Sequence, residues 1–203
     1  MRRIFVTGIG TDVGKTVVSA ILAEALKADY WKPVQTGNYF SSDSEKVKKL
    51  VSNEKTVIHP ESYSLKQYMS PHAAAEMEKI SIDFERIIVP PTSNTLIIEG
   101  AGGILVPLNK KYMIVDLIKK FEAEAIVVVQ NYLGSINHSL MTMECLKSRG
   151  IKITGWILNG PSHQLSEDII NELSRVPQLG TINKEAEVNK EMILKYAPGF
   201  SSL

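Results

Sequence analysis

Gly14, Lys15 and Thr16 are residue types that bind nucleotide phosphates when they occur in this order. They open a helical pattern, "KTVVSAILAEALKA", which follows the apolar run "RRIFVTG". In such a strand–loop–helix unit, backbone N–H groups at the helix N-terminus bind phosphate oxygens. The lysine contacts the β- and γ-phosphates, and the threonine hydroxyl reaches Mg²⁺. The pattern predicts a phosphate-binding loop; the alternative, a turn whose glycines only make the bend, leaves the Gly-Lys-Thr order unexplained.

The loop before this triplet is one residue longer than the usual phosphate-binding pattern. Gly8 lies one position too far from Gly14, and Ile9 stands where the usual pattern has glycine. The longer loop contains two polar residues, Thr11 and Asp12. A loop that only wrapped phosphate would not need them, so we predict that both residues face a second substrate.

Polar side chains also follow two predicted strands. Lys32 comes after the short apolar piece "YW", and Glu99 ends the apolar part of "TLIIEGAGG" in the manner of a Walker B acid. Asp43 lies at the start of the helical pattern "DSEKVKKLVSN". Ligands bind beyond the carboxyl ends of the strands in an open parallel sheet, so we expect these side chains to meet there. Carboxylate and hydroxyl oxygens suit Mg²⁺.

This set of side chains predicts phosphoryl transfer, with Lys15 and Lys32 neutralising charge and Thr16, Asp43 and Glu99 as Mg²⁺ ligands. Each strand-end residue has a structural alternative. Lys32 would be an ordinary surface lysine, Asp43 an ordinary helix N-cap, and Glu99 a solvent-exposed residue before a turn.

The elements that position these residues alternate between strands and helices along the chain. Continuous runs of Val and Ile, such as residues 126–129, indicate strands that are covered on both faces. Alternating strands and helices imply right-handed crossovers. We therefore predict an α/β fold: one domain over residues 1–203, with a doubly wound, mostly parallel sheet and helices on both faces. The predicted strands are "RRIFVTG", "YWKPVQTG", "TLIIEGAGG", "EAIVVVQN", "IKITGWILNG" and "PQLGTI".

The composition of the chain excludes several classes of protein. Its 23 Lys and Arg against 22 Asp and Glu give a net charge of +1, which offers no argument for a nucleic-acid or membrane partner. No apolar run approaches the ~20 residues of a membrane span. The glycines at 8 and 10 break the N-terminal apolar run, so an export segment does not fit. Cys145 is the only cysteine, which excludes an intramolecular disulfide. We expect a cytoplasmic protein.

Several motifs, in chain order, resemble those of the dethiobiotin synthetases, ATP-dependent carboxylases of the P-loop NTPase superfamily that act in biotin synthesis. This family has the longer loop, with five residues between the first glycine and Gly-Lys-Thr, so the spacing from Gly8 to Gly14 supports the resemblance. The motifs are "FVTGIGTDVGKT", "WKPVQTG", "SSDSEKV", "SPHAAA", "LIIEGAGGILVPL", "NYLGSINHSLMT" and "GWILNG", between residue 5 and about residue 160.

The resemblance implies a role for each matching residue. Lys32 is similar to the active-site lysine of the family, beside Lys15, and Thr11 faces the reacting centre. Thr36 stands in the position of a substrate-contacting hydroxyl that is usually serine. The ATP contacts implied are Asp12, Val13, Gly14, Lys15, Thr16, Val17, Asp43, Glu99, Gly100, Ala101, Gly102, Asn159, Gly160, Pro177 and Leu179; the metal ligands implied are Thr16, Asp43 and Glu99.

The resemblance also implies the reaction and the assembly. The substrates would be 7,8-diaminononanoate, CO₂ or bicarbonate, and ATP with Mg²⁺; the products would be dethiobiotin, ADP and phosphate. The helix-start segment Gly134, Ser135, Ile136 and Asn137 would bind the carboxylate tail of the substrate across the interface of a homodimer. A helix N-terminus favours an anion, which agrees with that role.

The chain departs from the family pattern towards its C-terminus. Gly160 and Pro161 follow Asn159 where the family often has arginine, and the segment 177–190 keeps Pro177 and Leu179 but diverges beyond them.

Two rival functions explain fewer of these residues. A partitioning-type ATPase of the same superfamily usually has a second lysine early in the loop, but no lysine precedes Lys15. A nucleotide-binding regulator without turnover, like the partitioning ATPase, gives no reason for "WKPVQTG" or "GSIN".

Overall fold

The structure, a computed structural model, describes residues 1–37 and 41–203, in which strands and helices alternate. Two single turns of 3₁₀ helix, Phe84–Arg86 and Ala197–Phe200, complete the regular structure of these residues. The strands are β1 (Arg3–Gly8), β2 (Asp29–Trp31), β3 (Val34–Gln35), β4 (Ile58–His59), β5 (Tyr63–Ser64), β6 (Leu96–Gly103), β7 (Glu124–Val129), β8 (Ile153–Asn159) and β9 (Gln178–Ile182). The helices are α1 (Lys15–Leu26), α2 (Asp43–Leu50), α3 (Pro71–Met77), α4 (Ile114–Lys120), α5 (Ser135–Ser148), α6 (Gln164–Ser174) and α7 (Lys190–Tyr196).

Seven strands form one sheet in the order β4-β2-β6-β1-β7-β8-β9, and every neighbouring pair is parallel. The short strands β3 and β5 form a separate parallel pair. From β1 the chain crosses to β2 on one side of the sheet and later returns to β7 on the other. The carboxyl end of β1 is therefore a switch point of the topology, where open α/β sheets bind their ligands. The predicted fold class is confirmed.

The central strands consist of apolar residues because both faces of the sheet are covered. Ile4, Phe5 and Val6 of β1 are fully buried, as are the runs 96–98 of β6 and 125–129 of β7. Burying one such side chain contributes roughly 1.5–3 kcal/mol before the entropy of ordering is subtracted. Helix α1 packs against β1 and β6 and is covered in turn by α7 and the last 3₁₀ turn. This packing fixes the loop between β1 and α1.

The structure adds elements that the sequence patterns do not predict. Strands β4 and β5 have two residues each, which is too short for a period to show. Helix α7 begins where the Asn189 side chain accepts a hydrogen bond from the Met192 N–H at 3.0 Å. Phe84–Arg86, within "DFERII", is a single 3₁₀ turn. Across residues 1–37 and 41–203, none of the helices combines the length and apolar character needed to cross a bilayer.

Candidate active site

The loop between β1 and α1 has the backbone of a phosphate-binding loop. Gly14 has a φ of 91°, in the left-handed region that favours glycine. The Asn159 side chain fills the space beside it: its Nδ2 donates to the Val13 carbonyl at 3.0 Å and would lie 2.0 Å from a Cβ on residue 14. Only glycine fits there, which explains the glycine before Lys15 and links the end of β8 to the loop.

Lys15 lies at the first position of α1, with its side chain folded back over the loop. It is 7% exposed, and its Nζ donates to the Gly10 carbonyl at 2.8 Å. Burial lowers the pKa of Lys15 to about 8; the Glu99 carboxylate opposes this shift, and the charge of Lys32 adds to it. A phosphate bound at the loop would supply the negative charge that this ammonium group lacks.

The side chains of Lys32, Asp43 and Glu99 form one buried ionic cluster. Lys32 is 4% exposed, and its Nζ contacts Asp43 Oδ2 at 2.5 Å and Glu99 Oε1 at 2.9 Å. Glu99 is 1% exposed and also accepts from the Thr16 hydroxyl at 2.9 Å. The surface-lysine and exposed-glutamate alternatives are therefore wrong. Lys32 directly follows the carboxyl end of β2, whereas Glu99 lies within β6, which continues to Gly103.

The two carboxylates set the charge of Lys32. Burial alone would lower the pKa of Lys32, but Glu99 and Asp43 outweigh it and raise that pKa above its ordinary value. Burial would likewise raise the pKa of Asp43, but Lys32 outweighs it and lowers that pKa. Lys32 is therefore a fixed cation at neutral pH, whereas Lys15 loses its charge as the pH rises through about 8.

Asp43 is the first residue of α2 and does not cap it. Ser42 is the N-cap: its hydroxyl accepts from the Glu45 N–H, and the Glu45 side chain accepts from the Ser42 N–H. The Asp43 N–H donates to the Gln35 side chain at 3.0 Å. The N-cap alternative for Asp43 is wrong, because its carboxylate is directed at Lys32 and, on its other oxygen, at Lys46.

These groups surround a cavity of about 300 Å³ at the carboxyl edge of the sheet. The donor set of one hydroxyl and two carboxylates suits a hard cation that also takes phosphate oxygens. In residues 1–37 and 41–203, this cavity included, no three His, Cys, Asp or Glu side chains group closely enough to hold a metal by themselves, so a cation here would also need the Thr16 hydroxyl and phosphate oxygens. The predicted residues that line the cavity are Thr11, Asp12, Gly14, Lys15, Thr16, Lys32, Thr36, Asp43, Glu99, Ala101 and Gly102.

A second cavity, of about 240 Å³, adjoins the first. The two share Thr11, Thr36, Tyr68, Ala101 and Gly102 in their linings, and apolar side chains such as Pro71 and Val106 line most of the rest of the second. The longer loop therefore does bring Thr11 to the boundary between a polar, phosphate-sized cavity and a more apolar one. The arrangement suits a reaction between a phosphorylated compound and a partly aliphatic second molecule.

Sequence reasoning missed Tyr68, which crosses the mouth of both cavities. Its hydroxyl donates to the two carboxylate oxygens of Asp12 at 3.3 and 3.2 Å. A Cβ on residue 37 would lie 2.4 Å from its ring, so Gly37 is the residue that admits it. An exposed loop tyrosine gives no periodic signal, and only the fold brings it to the phosphate-binding loop.

Gly134, Ser135, Ile136 and Asn137 lie together at the start of α5, but they line a different cavity from Lys32. Gly134 has a φ of 101° and admits the turn into the helix. Beside them the side chain of Leu133 is fully exposed. In a single chain these residues do not join the ionic cluster, so a role in the same site requires a second chain.

The remaining predicted ATP contacts fall in three places. Gly160 follows Asn159 at the end of β8, and its N–H donates to the Ile182 carbonyl. Pro177 and Leu179 lie at the opposite end of β9, where Leu179 packs against Gly155. The structure does not bring these two to the phosphate-binding loop. Gly100 faces the core against Phe5, Val13 is buried, and Val17 is half-buried in α1.

Comparison with known proteins gives the family. A family model described as an AAA domain matches residues 2–192. The ATP-dependent dethiobiotin synthetase BioD of Christiangramia forsetii is 52% identical over 196 residues, which cover 97% of this chain and 94% of that protein. The chain belongs to the dethiobiotin synthetase family. The synthetase of Chlamydia pneumoniae is 43% identical over 97% of this chain and 88% of its own length.

Solved structures show that this dethiobiotin synthetase family member shares its fold with other P-loop ATPases. The septum site-determining protein MinD of Pyrococcus horikoshii, complexed with Mg-ADP, superposes with a TM-score of 0.60 at 18% identity, covering 99% of this chain and 91% of that chain. A ParA family ATPase of Chlorobium tepidum superposes with a TM-score of 0.56 at 14% identity, covering 100% and 96%. At these identities the likeness concerns the fold alone.

Proposed function

We propose that this chain is an ATP-dependent dethiobiotin synthetase that carboxylates 7,8-diaminononanoate and closes its ureido ring. One observation carries the proposal: the fixed cation Lys32 lies between Asp43 and Glu99 in a phosphate-sized cavity that opens, past Thr11 and Thr36, into a more apolar one. We further propose that residues 1–203 act as one domain. A partitioning ATPase or a regulator without turnover has no use for the second cavity.

The proposed reaction has three stages. An amine of the substrate attacks CO₂ and, on losing a proton, becomes a carbamate. A carbamate oxygen attacks the γ-phosphorus of ATP, which expels ADP and leaves a carbamic–phosphoric anhydride. The second amine attacks the carbamoyl carbon, closes the ring and releases phosphate. Because both amines belong to one molecule held near one carbonyl carbon, the effective molarity of the second amine drives ring closure.

The chain contributes charge and position to these stages. Lys32 remains protonated because the carboxylates raise its pKa, so it neutralises the carbamate without giving up a proton. Lys15, at the helix start, contacts the phosphates, while Thr11 and Thr36 offer hydroxyls to the diamine at the boundary of the cavities. The deeper apolar lining suits the aliphatic chain of the substrate.

The oxygens of Thr16, Asp43 and Glu99 would hold Mg²⁺ together with phosphate oxygens of ATP. Bound there, the ion would supply neutralising charge for the β- and γ-phosphates. The purine would lie on the side of Asn159 and Gly160. Ile182, the last residue of β9, is nearer to that side than Pro177 or Leu179, because Ile182 pairs with Asn159.

The proposed assembly is a homodimer in which the start of α5 completes the site of the partner. The segment Gly134–Asn137 and its exposed neighbour Leu133 support this, because within one chain they line a cavity apart from Lys32. The positive end of the α5 helix dipole favours the carboxylate tail of the diamine, although the Ser135 N–H itself donates to the Tyr132 carbonyl.

The test is a product assay. Protein is incubated with Mg-ATP, bicarbonate and 7,8-diaminononanoate, and dethiobiotin is measured by mass spectrometry beside ADP. We expect dethiobiotin and ADP in equal amounts, and little ADP without the diamine. ATP hydrolysis at the same rate with and without the diamine, and no dethiobiotin, would reject the synthetase.

A further inference from the structure

Tyr30 is a buried tyrosine next to the ionic cluster for which the proposed chemistry gives no role. It lies in the middle of β2 and is fully buried. Its hydroxyl donates to Glu99 Oε2 at 2.9 Å. A buried tyrosine hydroxyl needs a partner, and this one takes the carboxylate that the Walker-type strand β6 presents to the cavity.

The two oxygens of Glu99 therefore have different partners. Oε1 accepts from the Thr16 hydroxyl and from Lys32, both at 2.9 Å, on the side of the cavity. Oε2 accepts from Tyr30, which belongs to the core and lines no part of the cavity. A carboxylate held by only one oxygen can rotate about its terminal bond, whereas one held at both oxygens has one orientation.

We propose that Tyr30 is a positioning residue that fixes the Glu99 carboxylate, so that Oε1 faces the metal and the phosphate side of the site. The proposal rests on the proposed function for its metal and nucleotide. Partners of metal ligands commonly contribute ~10–100-fold to metal affinity or activity.

The test compares Tyr30→Phe with a matched control. Phenylalanine keeps the ring in the core and removes only the hydroxyl. Tyr63→Phe removes a hydroxyl that accepts from the Asp83 N–H at 3.0 Å, outside both cavities of the site. Calorimetry measures ADP binding to each variant in EDTA and over a range of Mg²⁺ concentrations, so the readout needs neither the diamine nor turnover.

We expect Tyr30→Phe to raise the Mg²⁺ concentration for half-maximal enhancement of ADP binding by about tenfold. Affinity for ADP in EDTA should stay within twofold of wild type, as should all values for Tyr63→Phe. An unchanged Mg²⁺ midpoint in folded Tyr30→Phe would overturn the proposal, even where the protein is less stable.

A second background tests whether Tyr30 acts through Glu99. Glu99→Gln removes the negative charge of residue 99. The double variant, Tyr30→Phe with Glu99→Gln, should have an Mg²⁺ midpoint within twofold of that of Glu99→Gln alone. A tenfold shift in that background would contradict positioning through Glu99. The double variant has no buried carboxylate that has lost its donor. It can therefore be measured even if Tyr30→Phe alone folds poorly. If wild type forms no dethiobiotin, the proposed function fails, while the Mg²⁺ midpoints still decide the role of Tyr30.

Discussion

At the scale of single residues, the site contains two lysines whose pKa values shift in opposite directions. Burial without a close carboxylate contact lowers the pKa of Lys15 to about 8, whereas Lys32 is held charged by two carboxylates within 3 Å. Both ammonium groups line one cavity, where we propose that Lys15 contacts phosphate and Lys32 the second substrate. The difference arises from position, since Lys15 begins a helix and Lys32 follows a strand.

Replacing Lys32 tests this division. We expect Lys32→Ala to lower kcat for dethiobiotin formation by about 100-fold or more, because a charge-stabilising group in such a site is typically worth 10²–10³ in rate. The variant should retain its circular dichroism spectrum. Lys152→Ala removes an exposed lysine that pairs with Glu124 outside the site and should stay near wild type. A near-normal kcat for Lys32→Ala would show that this ammonium group takes no part in turnover.

The sequence predicts much of the site at this scale because its motifs lie near strand ends and at a helix start. Lys32 follows β2 as the rule that parallel strands end at one edge expects, whereas Glu99 lies four residues before the end of β6. Tyr30 and Tyr68 were missed for different reasons. Tyr30 is hidden in a strand that reads as core, and Tyr68 lies in a loop whose path only the fold determines.

At the scale of elements, one buried carboxylate at the start of β2 connects the segments at the edge of the sheet. Asp29 accepts hydrogen bonds from Thr92, Asn94 and the Val57 N–H, and it contacts His59. Burial alone would raise the pKa of Asp29, but these hydrogen bonds outweigh it and lower that pKa. The carboxylate thereby links β2, β4 and the turn before β6, at the end of the sheet away from the site.

Asp29→Asn should therefore lower the free energy of unfolding at pH 7 by about 1–3 kcal/mol, the cost of disturbing buried hydrogen bonds. Since the folded-state pKa of Asp29 is lowered, its stabilisation is present above the unfolded value near 4 and is lost as pH falls through the lower one. Urea denaturation of wild type and variant measures the free energy of unfolding at pH 7 and at pH 3. The difference in this free energy between the two proteins should be smaller at pH 3 than at pH 7; an equal difference at both pH values would contradict the role of Asp29.

The alternation of apolar runs and helical patterns predicts the long elements well, because the long strands are mostly apolar and lie between helical patterns. The two-residue strands β4 and β5 could not be predicted, since their pairing depends on neighbours distant in sequence. The patterns do not predict the C-terminal helix α7 either. The same limit applies to Pro177 and Leu179, whose place at the far end of β9 follows from strand register alone.

At the scale of the whole molecule, the start of α5 and the ionic cluster line different cavities of one chain, and the proposed homodimer would bring them together across its interface. We expect Asn137→Ala to raise KM for the diamine by about tenfold or more, the worth of a hydrogen bond to a charged group, and to leave kcat within a few-fold. Steady-state kinetics at saturating Mg-ATP measures both constants. An unchanged KM would reject the tail-binding role.

Leu133→Lys separates assembly from substrate contact. Its fully exposed side chain lies beside Asn137 on the face proposed for the partner. A charge there should shift the sedimenting species towards the monomer and raise KM in the same direction as Asn137→Ala. Asn137→Ala itself should sediment like wild type, so a monomeric Asn137→Ala would contradict a role confined to the tail.

The central claim is that this site couples ATP cleavage to ring closure through a carbamate oxygen. A single-turnover reaction with ¹⁸O-labelled bicarbonate, Mg-ATP and 7,8-diaminononanoate tests it most directly. Because the carbamate oxygen that attacks the γ-phosphorus leaves with the phosphate, we predict dethiobiotin together with inorganic phosphate that carries one ¹⁸O. Unlabelled phosphate, or ADP formed without dethiobiotin, would contradict the account.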